Sequence, residues 1–132
     1  MTLLLFLILF TTPEPAQKCV AYEPETVSLS GTIKRHTFAG PPNYQSIAKG
    51  DQPEQVWVLH LVRPTCVSAS GDQEEETNVS DLQLVFTEAE KDYRRYRSFV
   101  GRRVTINGTL FHAHTGHHHT KVLLTVSRII KR

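Results

Sequence analysis

Long apolar runs, a strong net charge and recognisable catalytic motifs are all missing from this sequence. Its formal net charge is only +2, and the basic residues are too dispersed to indicate nucleic-acid binding. After residue 10 no stretch approaches the roughly 18 apolar residues of a membrane-spanning helix, so we expect no transmembrane segment in the mature chain. Phosphate-binding loops and nucleophile elbows are also missing, so no enzyme class is indicated.

Residues 3–10 are the one pronounced apolar run, and they have the length of the hydrophobic core of a signal peptide. We predict a signal peptide over residues 1–16, a linker over residues 17–25 and one domain over residues 26–132. The mature protein is then periplasmic or secreted. In that setting the two cysteines, Cys19 and Cys66, are expected to form a disulfide bond, whereas in the cytosol both would be free thiols.

Alternating apolar residues predict five strands, and one amphipathic segment predicts a helix. The predicted strands cover residues 26–35, 56–62, 81–86, 103–114 and 122–130. The helix lies between the third and fourth strands. Thr87 and Glu90 match a capping box at its start, and Gly101 is expected to end it.

This element order predicts a mainly β fold, specifically a small five-stranded OB-like Greek-key barrel with one α-helix between strands 3 and 4. A generic β-sandwich is the alternative. In an OB barrel, the loop between strands 1 and 2 and the loop between strands 4 and 5 flank the ligand-binding face. Residues 40–54 and 115–120 are therefore expected to meet, although they are far apart in the chain.

Five of the seven histidines lie between residues 112 and 119. Residues two apart in a strand point to the same side, so His112 and His114 are expected to project together. His117 or His119 would return to the same point across the turn. Imidazole is a common ligand for zinc, copper and nickel. We therefore predict a divalent transition-metal site with His112, His114, His117 and His119 as ligands.

The facing loop and the strand before the turn supply the remaining candidate ligand-binding residues. These are Tyr44, Asp51, Glu54 and Phe111. Carboxylate or phenol oxygens from the loop would complete the coordination of a metal ion or orient its histidine ligands.

The segments Gly40-Pro-Pro-Asn-Tyr-Gln-Ser-Ile47, Gly50-Asp51 and Gly108-Thr-Leu-Phe-His-Ala-His-Thr-Gly-His-His-His-Thr120 resemble a family of short bacterial proteins. This is the DUF4431 family, a domain of unknown function. The resemblance implies a bacterial envelope setting. It implies no activity, so no catalytic residue is transferred from it.

The leading hypothesis is an exported OB-like binding module with a histidine-rich, metal-assisted ligand face. It would be a monomer whose partner is a small ligand, a peptide or an envelope protein, and not nucleic acid. A metal-dependent hydrolase is a second hypothesis, with water activated at the histidines and Asp51 or Glu54 as the base. A third is an interaction or inhibitor module of the envelope, in which the histidines are only polar surface.

Overall fold

A computed structural model describes residue 8 and residues 10–132 of the chain. Half of the predicted signal peptide, residues 1–7 and 9, therefore lies outside the described residues. The fold is mainly β, as predicted. Its strands are β1 (Val20–Ala21), β2 (Thr26–Ala39), β3 (Pro53–Ser68), β4 (Glu76–Val85), β5 (Arg103–His112) and β6 (Val122–Lys131), with helix α1 (Ala89–Tyr96) between β4 and β5. Among the described residues, no helix has the length and apolar character needed to cross a membrane.

Hydrogen bonds join the strands in the order β1-β3-β2-β5-β6-β4, and β4 also pairs with β3. Strands β2 to β6 therefore form a closed ring of hydrogen-bonded neighbours. The pairings are antiparallel, except that β4 runs parallel to β6 and β1 parallel to β3. Gly31 pairs with Leu61 on one side and Val104 on the other. A Cβ atom there would collide with the His60 carbonyl, so glycine permits the close approach of β2 and β3.

Alternating residues of the ring point inward and form one apolar core. Leu29 of β2 is only partly buried, whereas the following apolar residues of the core are buried: Ile33, Trp57, Leu59, Leu82, Leu84, Phe86, Val104, Ile106, Leu124 and Val126. Each large apolar side chain contributes about 1.5–3 kcal/mol when buried. Helix α1 packs onto the core through Tyr93 and Tyr96.

The predicted disulfide is confirmed, and it anchors the start of the described fold. Cys19 and Cys66 are bonded across a separation of 47 residues, a loop closure worth about 4 kcal/mol in the chain-entropy picture. Next to it, β1 pairs with the end of β3, and Tyr22 is only 2% exposed. The segment predicted as a linker, residues 17–25, thus contains a strand and a core residue. Packing begins before residue 26 because the disulfide holds this segment against β3.

Several predicted boundaries were wrong. Strand β3 continues past Pro64, because the pairing with β4 shifts register between His60 and Thr65 and does not require an N–H from the proline. Strand β4 begins at Glu76, five residues before the predicted start at residue 81. The predicted capping box does not form: α1 has Glu88 at its N-cap, with no capping hydrogen bond from that side chain. The Glu88 carboxylate is instead paired with Lys91 at 2.9 Å.

Candidate functional site

A buried glutamine holds the histidine turn, which we define as residues 113–121 between β5 and β6. Gln83 on β4 is 6% exposed. Its Nε2 donates to the His117 carbonyl at 3.0 Å, and its Oε1 accepts from the His119 N–H at 2.7 Å. The Gln83 backbone N–H also donates to Thr120 Oγ1 at 2.9 Å. The histidine turn is therefore pinned to β4 at three points.

The facing loop, residues 40–52, is built around the carboxylate of Asp51. Its two oxygens accept from the backbone N–H groups of Asn43, Gln45 and Ser46 at 2.8–2.9 Å. These donors, that of Ser46 first, hold the pKa of Asp51 below its usual range. The structure thus places Asp51 as the organiser of the loop backbone, with both oxygens directed into that backbone.

The facing loop and the histidine turn meet, as the sequence predicts. Glu54 accepts from His117 Nδ1 at 2.9 Å, and the Tyr44 hydroxyl lies 3.2 Å from His117 Nε2. The Tyr44 ring also covers Gly116, where a Cβ atom would lie 2.8 Å from the ring. Glycine at that position permits the contact. Glu54 at the start of β3, His117 in the histidine turn and Tyr44 in the facing loop therefore form one hydrogen-bonded chain.

His119 is buried beside this chain. Its side chain is 8% exposed and stacks on Phe38 with 4.5 Å between ring centroids and 2° between ring planes. His119 Nε2 lies 3.3 Å from Glu54 Oε1, but it has no hydrogen-bond partner among the described residues. Burial alone would raise the pKa of Glu54. The hydrogen bond from His117 and the nearby imidazole of His119 outweigh it and lower that pKa.

His118 shapes the turn itself. Its Nδ1 accepts from the backbone N–H groups of His114 and Thr115 at 3.0 and 3.3 Å, so that nitrogen carries no proton. Burial, followed by the neighbouring imidazole of His114, lowers the pKa of His118. Its ring packs against Phe111 and His114. His118 is therefore a neutral structural residue of the turn.

His112, at the end of β5, faces a different part of the chain. Its Nε2 lies 2.8 Å from Glu76 Oε1, its Nδ1 lies 3.1 Å from the Ala113 carbonyl, and its backbone N–H donates to Gln73 Oε1 at 2.9 Å. The hydrogen bond with Glu76 raises the pKa of His112 and lowers the pKa of Glu76. Both side chains are mostly buried. His112 is thus fixed at both ring nitrogens and at its backbone.

Glu74 joins these two residues in a three-residue cluster. The ligating atoms of Glu74, Glu76 and His112 all lie within 4.8 Å of one another. The buried Tyr22 hydroxyl donates to the Glu74 carbonyl at 2.6 Å, which holds this part of the chain in place. In the described part of the chain, this is the one group of three or more histidines, cysteines or acidic residues close enough to share a metal ion.

A cleft of about 520 Å³ opens beside the Glu74–Glu76–His112 cluster. Its walls come from the acidic segment before β4, the end of β5 and the histidine turn. The lining residues are Glu23, Asp72, Gln73, Phe111, His112, Ala113, His114 and Thr125. The volume is within the range of small-molecule sites in proteins.

The structure distributes the four predicted metal ligands over two faces of the turn. His112 and His114 line the same cleft, but only His112 belongs to the metal-competent cluster. His117 and His119 lie on the opposite side, against Glu54. Strand β5 ends at His112, so the two-residue alternation that would align His114 with it does not continue. Phe111, a predicted ligand-binding residue, packs on His114 and His118 and lines the cleft.

Three residues that organise the site were missed in the sequence. Glu74 and Glu76 look like part of a solvated acidic run, and only the spacing of two residues between them indicated a shared side of a strand. Gln83 carried no signal, because its contacts to the histidine turn span 34 to 37 residues.

Comparison with protein families gives one relationship for the second half of the chain. A family model described as a domain of unknown function, DUF4431, matches residues 81–130. The match includes α1, β5 and the histidine turn, and it confirms the resemblance noted from the sequence. A search of the curated proteins found no match.

Proposed function

We propose that this chain, which the DUF4431 family model matches over residues 81–130, is an exported metal-binding module. In this proposal one divalent transition-metal ion, such as zinc, copper or nickel, is held by His112, Glu76 and Glu74. The adjoining cleft receives a small ligand or peptide beside the ion.

The single observation that carries this proposal is the pair of contacts made by His112. The Ala113 carbonyl can only accept, so the Nδ1 that faces it carries a proton. In the neutral imidazole, Nε2 then presents a lone pair to a carboxylate oxygen 2.8 Å away. Two lone pairs at that distance repel, and a cation between them removes the repulsion. That cation is either a second proton or a metal ion.

The surroundings of the cluster favour a metal ion. Two carboxylates and one imidazole are a common ligand set for divalent transition metals. The Nδ1–H bond to a backbone carbonyl is the usual support for a histidine that binds metal through Nε2. Lys121 is the competing cation, but its Nζ lies 3.7 Å from Glu76 and its side chain is 78% exposed. It can move away without uncovering buried surface.

Two further features support the wider proposal. The parallel pairing of β4 with β6, the antiparallel pairing of the other ring strands and the helix between β4 and β5 agree with an OB-like arrangement. The Cys19–Cys66 disulfide agrees with export to an oxidising compartment.

The test is a calorimetric titration of zinc into the purified, untagged, disulfide-bonded protein. We expect one ion bound with micromolar or better affinity. His112→Ala and Glu76→Gln should each weaken binding by at least about tenfold, the effect of losing one strong ligand. His117→Ala is the matched control, because it removes an imidazole from the other face of the turn.

Either of two other results would contradict this assignment. Loss of binding in His117→Ala but not in His112→Ala would move the ion to the Glu54 side. Weak binding of several ions, equal in all variants, would favour an envelope interaction module without metal.

The cleft beside the cluster favours a second candidate, a metal-dependent hydrolase. A metal ion held by three protein ligands retains a position for water, which it makes more acidic. Turnover of a panel of esters and phosphodiesters, abolished by a chelator and by His112→Ala, would support hydrolysis. A metal-loaded protein that turns over no member of the panel would leave binding as the function.

A further inference from the structure

A second cleft, separate from the metal cluster, lies between α1 and strands β2 and β3. It has a volume of about 380 Å³, and its lining includes three arginines and no acidic residue. The six lining residues are Arg35, Gln55, Trp57, Tyr93, Arg94 and Arg97. We infer that this arginine cleft binds a ligand carrying a phosphate group.

The three guanidinium groups come from different parts of the fold. Arg35 lies on β2 directly opposite Trp57 of β3, whereas Arg94 belongs to α1 and Arg97 to the 3-10 turn that follows it. A solvated helix face would account for Arg94 and Arg97 alone. It does not account for Arg35, which reaches the same cleft from a strand. The cleft therefore concentrates positive charge from two sides.

Carboxylates of the protein do little to neutralise the charge of these three arginines. In the described part of the chain, the one carboxylate paired with any of these arginines is Glu90, 3.9 Å from Arg94. That pair is highly exposed and contributes little. Arg35 and Arg97 have no acidic partner among the described residues. Binding of an anion between the three arginines would therefore be electrostatically favourable.

Two aromatic residues of the cleft, Trp57 and Tyr93, add neutral hydrogen-bond donors. Trp57 is 5% exposed, and its ring meets that of Tyr93 edge to face at 4.8 Å between centroids. Neither the indole N–H nor the Tyr93 hydroxyl has a hydrogen-bond partner within the described residues. Apart from the Gln55 amide and the phenol oxygen, the lining side chains offer donors only. This composition fits a ligand rich in acceptor oxygens.

Charge and geometry favour phosphate over carboxylate. A phosphate monoester carries a charge of about −1.5 to −2 at neutral pH and presents three acceptor oxygens. It can accept paired N–H groups from more than one guanidinium, whereas a carboxylate has one charge and two oxygens. The ligand is either a free phosphorylated molecule or the phosphate of a lipid headgroup.

The single tryptophan of the chain, Trp57, lies in the arginine cleft and reports on binding directly. Its fluorescence should be recorded while the metal-free protein is titrated with pyrophosphate, and separately with vesicles of anionic phosphatidylglycerol or neutral phosphatidylcholine. We expect saturable binding of pyrophosphate or of the anionic vesicles, weakened by added salt. Arg35→Gln and Arg97→Gln should each weaken that binding by at least about tenfold.

Arg128→Gln is the matched control, because it removes the same charge from an exposed position on β6 outside the cleft. Binding of pyrophosphate would identify a soluble phosphorylated ligand, and binding of the anionic vesicles alone would identify a headgroup. The inference is overturned if neither probe changes the Trp57 signal, or if Arg128→Gln weakens binding as much as Arg35→Gln. If Arg35→Gln does not fold, as judged by circular dichroism, Arg94→Gln and Arg97→Gln carry the comparison. The metal-free conditions keep this result independent of the zinc titration.

Discussion

Replacing Gln83 with leucine tests whether one buried side chain holds the histidine turn in place. Leucine has a similar size but neither donates to the His117 carbonyl nor accepts from the His119 N–H. A buried polar group left without a partner costs about 1–3 kcal/mol. The turn is partly exposed, so water can replace part of what is lost. We therefore expect Gln83→Leu to lower the free energy of unfolding by about 1–3 kcal/mol in total.

The assay has a global and a local readout. Denaturant unfolding gives the change in stability, and amide hydrogen exchange over residues 113–121 shows whether the turn opens before the rest of the fold. The expected result is faster exchange at His119, while the amides of the ring strands remain protected up to the new global stability.

Gln45→Leu is the matched control for this prediction. It makes the same chemical change at an exposed side chain that has no hydrogen bond among the described residues. We expect its stability to stay within about 0.5 kcal/mol of the wild type. If Gln83→Leu unfolds at the wild-type denaturant concentration with unchanged exchange in the turn, the reasoning about Gln83 is refuted.

Two further predictions concern the contact between the loops. Gly116→Ala should force the Tyr44 ring away and destabilise the protein by about 1–3 kcal/mol. Because the clash requires the Tyr44 ring, a double-mutant cycle of Gly116→Ala with Tyr44→Ala should show a coupling energy above about 0.5 kcal/mol. If the effects of the two substitutions on stability are additive, the clash is contradicted. Asp51→Asn should destabilise the protein at neutral pH. The pKa of Asp51 is depressed in the folded state, so its stabilisation is complete above the ordinary carboxyl range and is lost as pH falls through the folded-state pKa. The unfolding midpoints of the wild type and the variant should therefore differ clearly at pH 7 and much less at pH 3. An equal difference at the two pH values would show that the charge of Asp51 is not responsible.

Much of the fold followed from local patterns in the sequence. The inward residues of β5, such as Val104 and Ile106, recur every second position, and that period is enough to predict a half-buried strand. The meeting of the facing loop with the histidine turn also followed, because strand order alone brings these loops to one end. Tyr44 and Glu54 were identified for that reason.

The composition of the site could not be predicted as well. The contact between Glu76 and His112 depends on how β3, β4 and the segment around Tyr22 pack together. None of those packing contacts can be recognised from a short stretch of sequence. His114 was assigned to the same side as His112 on the assumption that the strand continued. The chain instead leaves β5 at His112, and the turn that follows is held by Gln83, which lies about 30 residues earlier.

The closed ring of strands limits how this protein can be recognised by others. A sheet with an open edge can add a strand from another chain, which is a route both to peptide binding and to aggregation. Each of β2 to β6 has a neighbour on both sides over part of its length, and β1, which pairs only with β3, is two residues long. Residues 34–39 of β2 pair with β3 alone, because the pairing of β2 with β5 ends at Thr32. Backbone-to-backbone docking is therefore limited to short strand ends such as this one. Elsewhere a partner must recognise side chains and turns, so specificity depends on the clefts and on the loops that border them.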